Sequence, residues 1–575
     1  MLRTFGGSLI IIAIMRPPCD DGAIRSRPAT ASCPPEAGAW ILTAAILGSS
    51  MAFIDSTVVN VALPALQSSL GATVIDAQWV VESYGLFLGA LILVGGSVGD
   101  LLGRRRIFLA GVTVFAAASA WCGLSPSIHQ LVIARALQGV GAAFLVPGSL
   151  AIISASFDEK ERGRAIGTWS GFTAITAALG PVLGGWLIQH ASWRWAFFIN
   201  LPFAAAVIAI SLKHVPESRS AAAKQVDWLG AVLVTVGLGG LVYGLIESAR
   251  LGWIHPLVFG SLIVGAVCLT IFSFVEARVA APMVPLQLFQ SRTFTGANLL
   301  TLFLYAAVGI FFFLFPLNLI QVQGYSATAT GAAALPTILL LFLLSRWSGG
   351  LVARYGPRLP LIVGPLITAV GFVLFAIPAV GGNYWTTFFP AFLVLGFGMA
   401  VSVAPLTTLV MSAVDQDRAG AASGINNAVA RVAGLLAIAV LGIVMVSSFS
   451  AHLDRSLARL PVPTEVMKNL ESNYTKLAAI EMPVGLDPNT SDEITASVNQ
   501  AFVFGFRLIM LICAGLSVLG AAQAWLLIGS KPTPSRSTRK VFVNPPGPET
   551  ATSATPGKSS PCAIIAGIQS TTKPL

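Results

Sequence analysis

Fourteen stretches of this chain are long and apolar enough to cross a lipid bilayer, and no other feature narrows its fold as much. Within hydrocarbon, every backbone N–H and C=O needs a partner in its own segment, so a run of about 20 apolar residues must be a helix. The runs fall at residues 40–63, 78–99, 107–124, 130–153, 164–188, 195–212, 227–248, 256–276, 294–318, 330–352, 359–380, 386–412, 421–447 and 501–528. Charge supports this: 10% of the 575 residues are charged and 55% are hydrophobic, whereas a soluble domain has roughly 25% charged residues. The chain reads as an all-α integral membrane protein.

The cations between the runs set its orientation. Alternate loops carry Arg104, Arg105 and Arg106; Lys160, Arg162 and Arg164; Lys213, Arg219 and Lys224; Arg278 and Arg292; Arg354 and Arg358; and Arg418. The short loops between them offer only Arg194 and Arg250. By the positive-inside rule the basic loops are cytoplasmic, and an even number of spans puts both termini there too. The expectation is a multi-pass protein of the cell (cytoplasmic or inner) membrane. The net charge of +10 is spread over these loops, with no long basic patch, so nucleic acid is not an expected partner.

Chemistry of other kinds finds no support. The six cysteines lack C-x-x-C spacing and the five histidines are scattered. No HExxH, GxSxG or phosphate loop occurs, so no enzyme activity, cofactor or metal is expected.

Residues 1–39 read as a disordered cytoplasmic extension, begun at an upstream start codon, although the apolar run at 9–15 resembles the core of a signal peptide. The Pro-, Ser- and Thr-rich residues 529–575 read as a disordered cytoplasmic tail. Residues 448–500 form a long exterior loop, helical around 464–476. An internal echo links "GSVGDLLGRRR" (96–106) with "GLVARYGPR" (350–358). It implies two related halves, one at 40–212 and one at 294–528, with an inserted helix pair and linkers at 213–293. Duplicated halves are typical of secondary transporters.

Several motifs together resemble the major facilitator superfamily, and within it the fourteen-helix drug:H⁺ antiporters. They are "IDSTVVNVALP" (54–64) in the first span, "GSVGDLLGRRR" after the second, "LVIARALQGVGAA" (131–143) in the fourth, "GTWSGFTAITAALGPVLGG" (167–185) in the fifth and "WRWAFFINLP" (193–202) at the sixth. The resemblance implies two six-helix bundles plus two inserted helices, with alternating access. It also implies efflux of drug-like toxic compounds or antibiotics in exchange for protons. In a cell with an outer membrane, a periplasmic adaptor would carry the compound onward. Three positions depart from the family pattern: Leu101 follows Asp100 where Arg is usual, Ala353 replaces the Asp of the second loop copy, and Thr176 replaces a glycine of the fifth-span motif. A proton symporter importing a small nutrient or metabolite is the alternative, on the same fold.

Individual residues carry the chemistry. Asp55 lies midway along the first span, where an ionised group costs at least about 2.5 kcal/mol and a functional role is the default. A carboxyl whose surroundings differ between two states takes up a proton in one and releases it in the other. Arg135 is its expected partner and, by resemblance, part of proton coupling; the alternative is a static pair that only fixes packing. Glu82 is a third candidate, or else a solvated helix end.

Gly96, Asp100, Gly103, Arg104 and Arg105 set topology, and by resemblance form a gating loop in which Asp100 pairs with the opposite half. Gly167, Gly171, Gly180, Pro181, Gly184 and Gly185 form the antiporter motif. Gly180 and Gly184 share one helix face and let a neighbouring backbone approach closely; by resemblance this helix packs against a helix of the other half, or else the pair makes a generic small-residue contact. Arg346, Arg431 and Arg507 either snorkel or face the cavity. Phe311, Phe312, Phe313 and Phe315 circle their helix and so serve packing or lipid contact. Asn298, Tyr305, Asn318, Gln321, Asn426 and Asn427 are candidate polar contacts in a cavity that would suit amphipathic, often cationic, drugs.

Overall fold

A computed structural model describes residues 35–529 apart from 220–224, 280–281, 415–418, 461, 463 and 483–486. The expected extension and tail therefore lie outside the described residues save for 35–39 and 529, as do Lys224, Arg418 and the side chains of Lys160, Arg346 and Ala353. Among the described residues, fourteen helices are long and apolar enough to cross a membrane, and the expected count of spans holds.

The helices are α1 (Pro35–Leu70), α2 (Val74–Leu102), α3 (Arg104–Leu124), α4 (Ile128–Ser156), α5 (Glu159–His190), α6 (Trp195–His214) and α7 (Trp228–Leu251). They continue as α8 (Pro256–Glu276), α9 (Arg292–Leu317), α10 (Ala327–Ala333 with Leu335–Tyr355), α11 (Arg358–Phe375), α12 (Phe389–Ser412), α13 (Ala419–Leu457) and α14 (Pro488–Leu527). Their starts follow from capping chemistry. Thr73 and Asp76 form a capping box on α2, and Ser127, Asp227 and Ser291 cap α4, α7 and α9 through side-chain oxygens. Prolines mark the irregular turns, because they cannot donate to the preceding turn. A π turn follows Pro316 (Asn318–Val322) and another precedes Pro390 (Tyr384–Phe388).

Helices α13 and α14 run beyond the expected membrane limits, so the expected loop at 448–500 is helical at both ends. Between them lie a short helix, Thr464–Ser472, and a 3₁₀ turn, Tyr474–Ala479. Leu470, Leu477 and Ile480 bury into the same apolar cluster as Leu453, Leu457 and Ile494.

The fold is two bundles of six helices, α1–α6 and α9–α14, with α7 and α8 inserted between them in the chain. A seam between α2 and α13 joins the bundles, and α7 packs on both of those helices. Small residues permit the close approach: a Cβ on Gly85 would meet Leu435, one on Gly89 would meet Arg431, and one on Gly424 would meet Leu93. Gln78 Nε2 crosses the seam to the carbonyl of Ile438 at 3.2 Å. Helix α8 packs on α7 and turns Ile263, Val267, Ile271 and Phe274 outward, as a lipid-facing helix must.

Candidate functional site

Five helices of the first bundle meet in one buried polar network around Asp55. Asp55 in α1 and Arg135 in α4 are 0% and 1% exposed, and Arg135 Nη1 lies 2.5 Å from Asp55 Oδ2. The other carboxylate oxygen accepts Gln138 Nε2 at 2.7 Å and Asn200 Nδ2, from α6, at 3.3 Å. Gln138 Oε1 in turn accepts Arg135 Nη1 at 2.8 Å, and Arg135 Nε donates to the Val80 carbonyl of α2 at 3.0 Å. Asn200 also donates to Ser119 Oγ of α3 at 3.0 Å. The guanidinium lies over the Tyr84 ring, 4.2 Å from its centroid.

Such a network holds two buried charges at close to zero net charge. Taking away one partner of a buried pair costs about 3–5 kcal/mol, because the survivor stays desolvated and unpaired. The expected pairing of Asp55 with Arg135 is present. Gln138 and Asn200 are participants that sequence reasoning passed over. Gln138 had a usable signal: it sits three residues after Arg135, on the same helix face.

Glu82 is a different kind of carboxyl. It is 0% exposed and neither oxygen has a hydrogen-bond partner among the described residues. The alternative of a solvated helix end is therefore excluded. Its place in α2, one turn after Gln78, sets it along the seam with α13.

The arginine-rich loop is built around a residue that the sequence did not flag. Glu217 accepts the backbone N–H groups of Arg105 and Arg106 at 3.1 and 3.2 Å and lies 3.6 Å from Arg106 Nε. Gly103 has φ +124°, a conformation that favours glycine, and a Cβ there would also push on the Glu217 carboxylate. Arg105 Nη1 reaches the Val215 carbonyl at 3.0 Å. Asp100 bonds Arg104 Nε within its own motif at 2.8 Å rather than the opposite half. Asp100 stands in the last turn of α2 and Arg104 opens α3, so the turn at Gly103 brings the two side chains together. A Cβ on Gly96 would make only ordinary contact with Pro147.

The glycines of α5 divide between two partners. A Cβ on Gly180 would strike Thr57 and one on Gly184 would strike Val58, both in α1 of the same bundle. This pair therefore makes the small-residue contact within its own bundle, and the expected packing of the helix on the other half runs through its neighbours. Gly185, one residue and about 100° further round, faces the Ala327 carbonyl of α10, while Gly331 of α10 faces the Pro181 carbonyl. This reciprocal contact closes the two bundles at the end of the molecule away from Arg104. Gln321 Nε2 adds a bond to Gln67 Oε1 there at 2.9 Å. Toward the arginine-rich end the same helices are apart: a Cβ on Gly167, Gly171, Gly349 or Gly350 would meet nothing within 4 Å.

The remaining polar candidates have separate fates. Asn426 bridges to Asn298 Oδ1 and Thr301 Oγ1 at 3.2 and 2.6 Å. Arg507 is held by the Ile377 and Pro378 carbonyls. Arg431 makes no hydrogen bond or ion pair with any described residue, and its Nε is buried without a partner. Phe311 and Phe315 are buried in a ring cluster with Phe372, Phe375 and Phe392, and Phe313 is buried in the same apolar core, so all three serve packing. A cavity of about 360 Å³ lies at the closed end, between Val61, Gln67, Ile188, Gln321 and Lys476.

Fourteen spanning helices in two bundles, with a buried ion-pair network and one closed end, define a membrane transporter and not an enzyme. A sequence profile of the Major Facilitator Superfamily matches residues 45–438. The chain belongs to that superfamily. It is 36% identical over 438 residues to the multidrug resistance protein Stp of Mycobacterium tuberculosis H37Rv, covering 75% of this chain and 80% of that protein. It is 31% identical to the tetracenomycin C resistance and export protein of Streptomyces glaucescens (84% and 90% covered), and 33% identical to the puromycin resistance protein pur8 of Streptomyces alboniger (88% and 95%). Among solved structures, a bacterial homolog of the human lysosomal transporter Spinster, inward-facing and unoccupied, superposes with TM-score 0.59 at 17% identity, covering 86% of this chain and 99% of that one. At that identity the likeness shows the fold alone.

Proposed function

We propose that the chain exports drug-like toxic compounds across the cytoplasmic membrane in exchange for protons, with its arginine-rich end and both termini in the cytoplasm. The names of its relatives, which speak of resistance and export, support the cargo. The buried Asp55 network is the observation that carries the coupling. A proton arriving at Asp55 removes its charge, frees Arg135 and loosens α1 from α4 and α6. Glu82, unpartnered at the α2–α13 seam, supplies a second proton-carrying carboxyl.

The bundles at 40–212 and 294–528 rock about that seam, with the inserted pair at 213–293 lying against it. In the proposed orientation the closed end is exterior, so the structure corresponds to an inward-facing state. Release outward requires α5 and α10 to part at Gly185 and Gly331 and to meet at their cytoplasmic ends. There Asp100 and Arg104, now bonded to each other, form the gating loop with Gly96, Gly103 and Arg105. A periplasmic adaptor enters only in a cell with an outer membrane.

The driving force suffices. One proton moving down ~150 mV supplies ~3.5 kcal/mol, and each 1.4 kcal/mol sustains about a tenfold concentration ratio. The test is retention of fluorescent dyes of either charge in whole cells, with and without a protonophore. Lower retention in expressing cells that a protonophore restores supports export; higher retention contradicts it and favours the symporter.

A further inference from the structure

Among the described residues, the second bundle places a cation without a hydrogen-bond or ion-pair partner, Arg431, against the seam with the first. Arg431 sits in α13, and its Cβ is 3.5 Å from where a Cβ on Gly89 of α2 would stand. Its guanidinium, half-buried, is an electrostatic neighbour of Tyr84, the ring that also carries Arg135. One turn along α13, Gly434 meets Gly309 of α9, and Tyr305 precedes Gly309 by one turn. The guanidinium is thus placed near the Tyr84 ring where the two bundles meet, on a helix that small residues bring close to its neighbours.

No acid answers it. The described residues of α9–α14 include three carboxylates, Asp454, Asp492 and Glu493, all exposed near the closed end. In the first bundle Asp55 is already neutralised by Arg135, and Glu82 makes no ion pair with Arg431 among the described residues. An arginine cannot shed its charge to escape this position. A cation in the membrane with no protein partner implies a partner that comes and goes.

We propose that Arg431 is the substrate-facing cation of the second bundle, and that the transporter favours aromatic compounds bearing an acidic group, such as a phenolate, enolate or carboxylate, over permanent cations. The inference rests on the export reading above. An acidic group gains a charge-assisted, fork-shaped pair at Arg431, while a permanent cation meets a like charge and no carboxylate on that side. This replaces the cationic drugs expected from the sequence. It also has an electrical consequence: exporting a monoanion for one incoming proton moves two charges in the same sense, whereas exporting a monocation for one proton moves none.

The test uses inside-out membrane vesicles containing the full chain, with an acid lumen and protein-free vesicles as baseline. The probes are the aromatic monoanion 1-anilinonaphthalene-8-sulfonate and the permanent cation ethidium. Wild type should take up the anion in preference, faster still when potassium and valinomycin set the lumen positive. Arg431→Gln should lower anion uptake about tenfold, the worth of one charge-assisted bond. Arg431→Lys should recover part of the loss, and ethidium uptake should not fall in either variant. Gel filtration of each variant in detergent verifies folding. Gradient-driven uptake of ethidium but not of the anion, or anion uptake unchanged in Arg431→Gln, overturns the inference and leaves the exporter standing. Failure of both probes to move overturns the exporter, and the inference with it.

Discussion

The two bundles treat buried charge in opposite ways. In the first, Asp55 and Arg135 satisfy each other and recruit Gln138 and Asn200, so that both carboxylate oxygens are bonded. In the second, Arg431 has no hydrogen-bond or ion-pair partner among the described residues. A closed network stores a state that a single proton can switch, whereas an open cation awaits a ligand. The contrast assigns proton handling to one bundle and part of substrate selection to the other, and rocking at the α2–α13 seam joins the two.

Breaking the closed network should have the largest effect. Asp55→Asn keeps an acceptor and a similar volume but leaves Arg135 uncompensated. Proton-linked transport in vesicles should fall to the protein-free baseline, with membrane abundance retained on immunoblots. Arg135→Ala should be as inactive, and Arg135→Lys partly active, because the charge survives without the planar fork.

Next comes the seam. Glu82→Gln removes a titratable group while creating no new charge, and should reduce substrate-coupled proton flux about tenfold with smaller loss of substrate binding. Equal loss of both would make Glu82 a packing residue.

At the closed end, Gly185→Val puts a side chain against the Ala327 carbonyl. It should shift the population toward exterior opening, read as faster alkylation of a cysteine introduced at Val61 in the cavity lining. Unchanged labelling would remove the α5–α10 contact from the gate. The smallest change should come from Glu217→Gln. Losing the charge that holds two backbone N–H groups and Arg106 costs about 1–3 kcal/mol, seen as a melting temperature lower by a few degrees with transport retained.

Much of this was legible before the fold was known, for a physical reason. Lipid allows a single backbone solution per span, so length and apolarity suffice to count helices, and cations between spans set their alternation. Asp55 and Arg135 stood out because charge in hydrocarbon is costly. What escaped was direction. Gly180 and Gly184 share a face whatever lies beside it, but whether that face meets α1 or α10 depends on tertiary packing. Asn200 lay within a quoted motif, "WRWAFFINLP", yet an asparagine near a helix start has too many local uses to mark it as a partner of Asp55. Glu217 is distant in sequence from the loop that it holds, and only folding brings α6 and α3 together.

The central claim is that Asp55 exchanges a proton as the bundles rock. The most direct measurement is pH-electrode recording of proton movement when substrate is added to proteoliposomes containing wild type or Asp55→Asn. Substrate-triggered proton flux in the wild type that disappears in the variant is the predicted result. Equal flux from both, or substrate movement in the wild type that ignores an imposed pH gradient, would contradict it.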